Sequence, residues 1–272
     1  MVQNATMQTM TGRERFLAAL ECRQPDHVPL WELEFQLFDR YADRPLVLGQ
    51  TFAALNPAEQ EQALRRNAEI MAAVAKRLGH SALTCPGGYW EVAPGVEAYF
   101  WLPGDAPWRQ LAYLRDAAGR QLAVVVFIQG MIMPPTTADS YQAFCYKLFD
   151  VPEEIDRWAA ATLAAGLEEA RRARDLGADA VCDACDVADN HMDIVTTRAQ
   201  VKGKLCLCGN MDLRLLAGGP EEAIVNETKR ICLACKPGGG FVLGATNAVF
   251  KEIPPAHYAA MLKAWNEYGG CP

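Results

Sequence analysis

The chain has 272 residues, 51% hydrophobic and 22% charged, with a formal net charge of -7. That length suits one large domain spanning 1–272. The acidic balance argues against nucleic acid or anionic membrane as a partner, because phosphate recognition needs clustered Lys and Arg. No stretch approaches the roughly 18 uninterrupted apolar residues of a membrane span. Met1 to Arg13 holds no apolar signal core, so a cytoplasmic location is expected. The ten cysteines are then expected as reduced thiols.

Taken in chain order, Thr11 with Glu14 three residues on predicts a capping box, followed by a helix with Phe16, Leu17 and Leu20 on its apolar face. Pro25-Asp26 ends it, and Val28 to Trp31 reads as a short strand. Leu55 to Leu78 repeats Ala63, Leu64, Ile70, Met71, Val74 and Leu78 at helical spacing, and Gly79 supplies the C-terminal glycine. Ser81 to Cys85 is a second strand. Glu91 to Leu102, the Pro103-Gly104 turn and the Asp116–Gly119 turn suggest a hairpin-like excursion. Leu122 to Gln129 is a buried strand closed by Gly130. Asp150 to Asp175 is a long amphipathic helix, with Ile155, Trp158, Leu163, Leu167 and Ala170 expected inward. Strands follow at Asp179–Asp186, Lys204–Gly209 and Phe241–Gly244. Helices are expected at Met192–Lys202, Pro220–Cys235 and Pro254–Tyr268.

Strands and helices alternate, and the strands are apolar throughout. That predicts a parallel α/β sheet covered on both faces. No G-x-G-x-x-G follows a strand, so a barrel is favoured over a dinucleotide fold. In a barrel the chemistry sits where the strands end, at the C-terminal face.

Several segments, in order, resemble the uroporphyrinogen decarboxylase superfamily. They are Thr11-Gly-Arg-Glu-Arg-Phe-Leu-Ala-Ala-Leu with Gln24-Pro-Asp-His-Val-Pro, Leu148-Phe-Asp-Val-Pro-Glu-Glu, Gly177-Ala-Asp-Ala, Gly209-Asn-Met-Asp-Leu, Pro237-Gly-Gly-Gly-Phe-Val-Leu-Gly and Ile253-Pro-Pro. The resemblance implies a TIM-type (β/α) barrel that binds a tetrapyrrole or acts with a corrinoid. The step from Asn190 to Lys204 is short by about two βα units, at roughly 30 residues each. A shortened barrel of about six parallel strands is therefore expected.

Three departures bear on function. Decarboxylases of the family carry an R-Q-A-G-R clamp after the first strand, where this chain has Trp31-Glu-Leu-Glu-Phe. Their key Asp near the second strand is replaced by Leu83-Thr-Cys-Pro-Gly, and a final G-H-G by Gly244-Ala-Thr-Asn. Two acids at the mouth would repel a polycarboxylate. The resemblance then favours the methyltransferase branch, which moves a methyl group from a small methylated compound to a corrinoid presented by a partner protein. No tightly bound cofactor is expected of the chain itself. Decarboxylation of a porphyrinogen and a non-catalytic corrinoid- or partner-binding descendant are the alternatives, and a homodimer is a further expectation.

Asp186 and Glu34 are the candidate catalytic acids. Trp31, Glu32, Asp183, Asp189, Asn190, Asn210, Asp212, Thr246 and Asn247 are candidate substrate-binding residues at strand ends. Each has a structural alternative: Asp and Asn favour helix caps, and Glu32 with Glu34 can be a solvated strand end. Alternation sends Glu32 and Glu34 one way and Trp31 the other. As a pair in a cleft, the two acids could share a proton. The pairs Cys182/Cys185, Cys206/Cys208 and Cys232/Cys235 lack the turn setting of a zinc knuckle, so no metal site is expected.

Overall fold

The computed structural model describes residues 10–88, 91–93, 95–133, 135, 137–183 and 192–271. The helices are α1 (Gly12–Leu20), α2 (Phe38–Tyr41), α3 (Gly49–Ala53), α4 (Pro57–Leu78), α5 (Ala106–Ala118), α6 (Ala138–Asp150), α7 (Pro152–Asp175), α8 (Ile194–Val201), α9 (Leu213–Gly218), α10 (Glu221–Cys235) and α11 (Pro255–Tyr268). The strands are β1 (Ala82–Thr84), β2 (Glu91–Ala93), β3 (Val96–Glu97), β4 (Ala123–Ile128), β5 (Ala180–Asp183), β6 (Leu207–Cys208) and β7 (Phe241–Val242). No described helix is long and apolar enough to cross a membrane.

The parallel strands run in the order β1-β4-β5, with Ala82 opposite Ala123 and Val125 opposite Ala180. The 28–31 segment extends this ladder. The Ser81 amide donates to the Leu30 carbonyl at 2.7 Å, and on the other side Trp31 N donates to Leu243 O at 2.9 Å. β7 in turn pairs in parallel with β6. Six parallel segments, in the order β5, β4, β1, 28–31, β7, β6, thus form one arc. Only β2 and β3 make an antiparallel hairpin among the described strands.

Side chains alternate across these strands. One face of the arc carries Ala82, Ala123, Val125 and Val242, packed with Trp31, Ala180, Cys182 and Cys206. α1 lies across the N-terminal end of this interior and adds Phe16 and Ala19. Its expected capping box is present: Glu14 N donates to Thr11 Oγ1 at 3.2 Å, and Thr11 N to Glu14 Oε2 at 2.7 Å. Asp179, its side chain 5% exposed, holds α1 and α5 to the start of β5, with Arg13 and Arg115 both at 2.6 Å. The opposite face of the arc packs on the helices in a core that includes Phe38, Phe52, Leu64, Met71, Leu111, Leu114, Tyr258 and Trp265. α4 ends at Gly79, whose φ of +81° needs a residue without Cβ.

Three expectations change. The stretch before β4 is not only a hairpin: residues 106–118 form α5, with Leu111 and Leu114 fully buried. A separate helix, α6, precedes α7. Within α7 the inward face is Ile155, Ala159, Thr162, Gly166 and Ala173. Leu163 and Leu167 point outward, 54% and 48% exposed, and Trp158 is 40% exposed against Phe144 of α6. The cause is the close approach at Gly166, where a Cβ would lie 2.4 Å from Gly130 Cα. Only the glycine side of α7 can sit that near the end of β4.

Candidate functional site

The C-terminal ends of the parallel segments gather most of the candidates. Trp31 faces the interior, and its indole Nε1 donates to Thr84 Oγ1 at 3.0 Å, while Thr84 Oγ1 donates to Glu32 O at 3.1 Å. The first two segments are thereby tied at their ends. Asp183 ends β5, and its Oδ1 accepts from Gly130 N at 3.0 Å, which fixes the end of β4 to β5. Asn210 Nδ2 donates to Met192 O at 2.9 Å. Thr246 N donates to Met211 O at 3.0 Å, and Thr246 Oγ1 is buried without a hydrogen-bond partner among the described residues. Asn247 Oδ1 accepts from Ala248 N at 2.6 Å. Asp212 takes the capping role: it accepts from Arg214 N at 2.8 Å and pairs with the Arg214 guanidinium at 2.8 Å. Asp186, Asp189 and Asn190 lie outside the described residues.

Glu32 and Glu34 do not form the shared-proton pair that their spacing suggests, because each has its own partners. Glu32 turns from the interior into the layer under α11. Its Oε2 accepts from Ala245 N at 2.8 Å, and Oε1 accepts from Tyr258 Oη at 3.0 Å. Tyr258 Oη also meets His80 Nε2 at 2.9 Å. Glu32, Tyr258 and His80 are all buried, so three distant parts of the chain close one hydrogen-bonded row. Burial pushes Glu32 up to about 7, with the Ala245 and Tyr258 hydrogen bonds opposing it. Burial pushes His80 down to about 4, so its ring is neutral at pH 7. A cavity with room for about one water adjoins the row, lined by Glu32, His80, Thr84, Phe35, Phe38 and Phe100. Glu34 is 8% exposed and accepts from Gln36 Nε2 at 2.5 Å. Burial raises its pKa against the pull of Gln36, and its charge helps to raise the phenol of Tyr99.

His80 and Tyr258 escaped the sequence reading. Neither stands in a motif, and they meet Glu32 only because α4 delivers His80 to the start of β1 while α11 crosses the arc's outer face. On the inner face of the arc Cys182 and Cys206 are half-buried, while Cys208 is exposed. Among the described residues, no three His, Cys, Asp or Glu side chains are arranged to hold a metal ion.

The geometry defines a parallel α/β protein whose polar residues collect at the C-terminal strand ends, the arrangement of barrel enzymes. Residues 168–268 match the family model of uroporphyrinogen decarboxylase (URO-D). The chain is similar to the uroporphyrinogen decarboxylases of Sodalis glossinidius (38% identity over 76 residues, 28% of this chain and 21% of that protein) and Azotobacter vinelandii (36% over 95 residues, 35% and 24%). The one from Paracoccus denitrificans is 36% identical over 100 residues, 37% of this chain and 27% of that protein. The chain thus spans about a quarter of the length of these relatives or less. In structure it is similar to a methyltransferase from Methanosarcina mazei, with a TM-score of 0.60 and 16% identity, covering 95% of this chain and 99% of that one. Over residues 168–268 the chain is thus similar to the uroporphyrinogen decarboxylase family, and its fold is similar to that of the methyltransferase.

Proposed function

We propose that this protein is a methyltransferase-like member of the superfamily, which takes a methyl group from a small methylated compound. The observation that carries the reading is the end of the first parallel segment. Where decarboxylases present arginines to a polycarboxylate, this chain holds Glu32 and Glu34, both buried. A buried carboxylate beside an anionic substrate costs free energy in a poorly screened cleft. The resemblance to a methyltransferase over nearly the whole of both chains supports the same reading.

In this reading the arc closes into a shortened barrel. A corrinoid presented by a partner protein would supply the nucleophile for the methyl group. The residues of this chain bind the methyl donor and supply a proton. As the bond from methyl carbon to heteroatom breaks, its electron pair stays on the heteroatom, and that atom takes the proton. Glu34 is suited to donate it, because burial raises its pKa and keeps a protonated fraction nearer neutrality. Asp186, following β5, is the second candidate. Trp31 and Thr84 shape the apolar wall against which a small methylated group packs.

The test offers the protein reduced free cobalamin with a panel of methylated amines, thiols and ethers, and in parallel uroporphyrinogen. Methylcobalamin formation from at least one donor is expected, slowed about tenfold or more, some 1.4 kcal/mol, by Glu34→Gln. Carbon dioxide release from uroporphyrinogen at enzyme-like rates, without methyl transfer, would overturn the reading in favour of decarboxylation. That second reading has the names of the curated relatives in its favour.

A further inference from the structure

Glu32 is a buried carboxylate without a countercharge. Among the described residues no lysine or arginine pairs with it, and its neighbours are the Ala245 amide, the Tyr258 phenol and, one step on, His80. The Arg77 guanidinium lies over the Tyr41 ring instead, 5.5 Å from its centre. Glu34 and Asp39, on the segment that follows, accept from Gln36 and from Leu46 N with Tyr99. A buried ionised carboxylate held by hydrogen bonds alone is costly, and a cation beside it relieves that cost.

The protons along the row decide what a cation would meet. Burial, Glu32 and Tyr41 hold the Tyr258 phenol protonated far above neutrality, and a phenol has one proton to give. When Glu32 is ionised, that proton goes to its Oε1 at 3.0 Å. The phenol oxygen then accepts, so His80 Nε2, at 2.9 Å, carries the ring hydrogen and donates it. Burial keeps the ring neutral at pH 7, and Nδ1 is left as an acceptor. When Glu32 holds a proton, the row can run the other way, from carboxyl to phenol to Nε2, and Nδ1 then carries the hydrogen. Ionising Glu32 therefore creates two acceptors together, the carboxylate and an imidazole lone pair. Glu32 and His80 both line the cavity beside the row, with Phe35, Phe38 and Phe100 around them.

We infer that the cavity beside Glu32 is a binding site for a small monovalent cation, and that ammonium is the ion it suits. The cavity has room for about one water, and an ammonium ion is about as large as a water molecule. Its N–H groups donate to the Glu32 carboxylate and to the His80 lone pair, and aromatic rings attract a cation through their π electrons. One carboxylate balances one positive charge. A divalent ion such as calcium takes about six or more oxygen ligands, which this lining does not supply. Methylated ammonium ions are too large for the space, so the site is distinct from that of a methyl donor.

The inference does not depend on the reaction proposed above, and its test is urea unfolding of the whole chain at pH 8 over a range of ammonium chloride concentrations. Tetramethylammonium chloride at the same concentrations is the control, since that ion cannot enter a cavity the size of one water. Ammonium at about ten times its Kd is expected to raise the ratio of folded to unfolded protein about tenfold over the control, and the effect should follow a saturable curve. It should shrink at pH 5, where the carboxyl holds its proton in place of the ion. Glu32→Gln should abolish it. Equal stability in the two salts at pH 8, or an ammonium effect of the same size at pH 5, would overturn the inference, and both comparisons use the wild type alone. So would an undiminished ammonium effect in Glu32→Gln, or equal stabilisation by potassium, which donates no hydrogen bond.

Discussion

Glu32→Gln tests the buried row under α11 through the pH dependence of stability. The Glu32 carboxyl is pushed from its ordinary 4.5 up to about 7 in the folded protein, mainly by burial. Below pH 4.5 both the folded and unfolded chains hold the proton, and the folded state carries no penalty. Between 4.5 and 7 the unfolded chain has released it while the folded chain keeps it, so stability falls as pH rises. Above 7 the loss levels off at about 3 kcal/mol, from a shift of about 2.5 pKa units at about 1.4 kcal/mol each. Gln keeps the shape and still offers an oxygen to Ala245 N, but it does not titrate. Urea unfolding of both proteins from pH 5 to pH 8 measures the difference. The wild type should lose about 2.5 kcal/mol relative to Glu32→Gln over that range. His80 works in the opposite direction: its lowered pKa gives stability that is present above 6.5 and lost as pH falls toward 4. It is common to both proteins, so the subtraction removes it unless its coupling to residue 32 is strong. Parallel stability curves would refute the reasoning, because Glu32 would then titrate alike in the folded and unfolded chains.

Asp179→Ala should lower stability by about 3 kcal/mol, since it leaves Arg13 and Arg115 without the carboxylate that joins them. Chemical denaturation checks it, and a loss under about 1 kcal/mol would mean that the two pairs are solvated equivalents of surface pairs. Gly166→Ala should cost about 1–3 kcal/mol, because the new methyl must displace the backbone at Gly130; an unchanged melting temperature would show that α7 can move away freely.

Much of the fold was legible because its signals are local. The Thr11–Glu14 box, the left-handed Gly79 and the apolar run of β4 each lie within a few residues. α5 and α6 were missed for opposite reasons. The ends of α5 look like turns: Pro103-Gly104 precedes it, and Gly119 follows with a φ of +57°. α6 spaces Tyr141, Phe144, Cys145 and Leu148 as a helix does, so its signal is present in the sequence even though the helix buries none of its residues. In α7 the sequence shows two apolar stripes, and periodicity alone ranks the leucines over the small residues. Close packing reverses that order, because Gly166 has to meet the backbone of Gly130.

At the site, the strand ends could be read but the direction of each side chain there could not. Alternation correctly separates Trp31 from Glu32, yet it does not say which one faces the interior. In the structure the indole faces in, and Glu32 lies behind it, held by Tyr258 from 226 residues away. The two acids of Trp31-Glu-Leu-Glu are therefore unequal. Glu32 binds the first parallel segment to α11 and to the amide of Ala245, just past β7. Glu34 accepts from Gln36 and, in the proposed function, is the acid left to meet a substrate. Replacing an arginine clamp with this segment removes the groups that would hold a polycarboxylate. It also converts one of the positions into a buried support for the wall. In the proposed function a small neutral or cationic methyl donor would suit such an acidic segment better than a molecule bearing several carboxylates, and that difference in charge is what the paired assays of methyl transfer and decarboxylation measure.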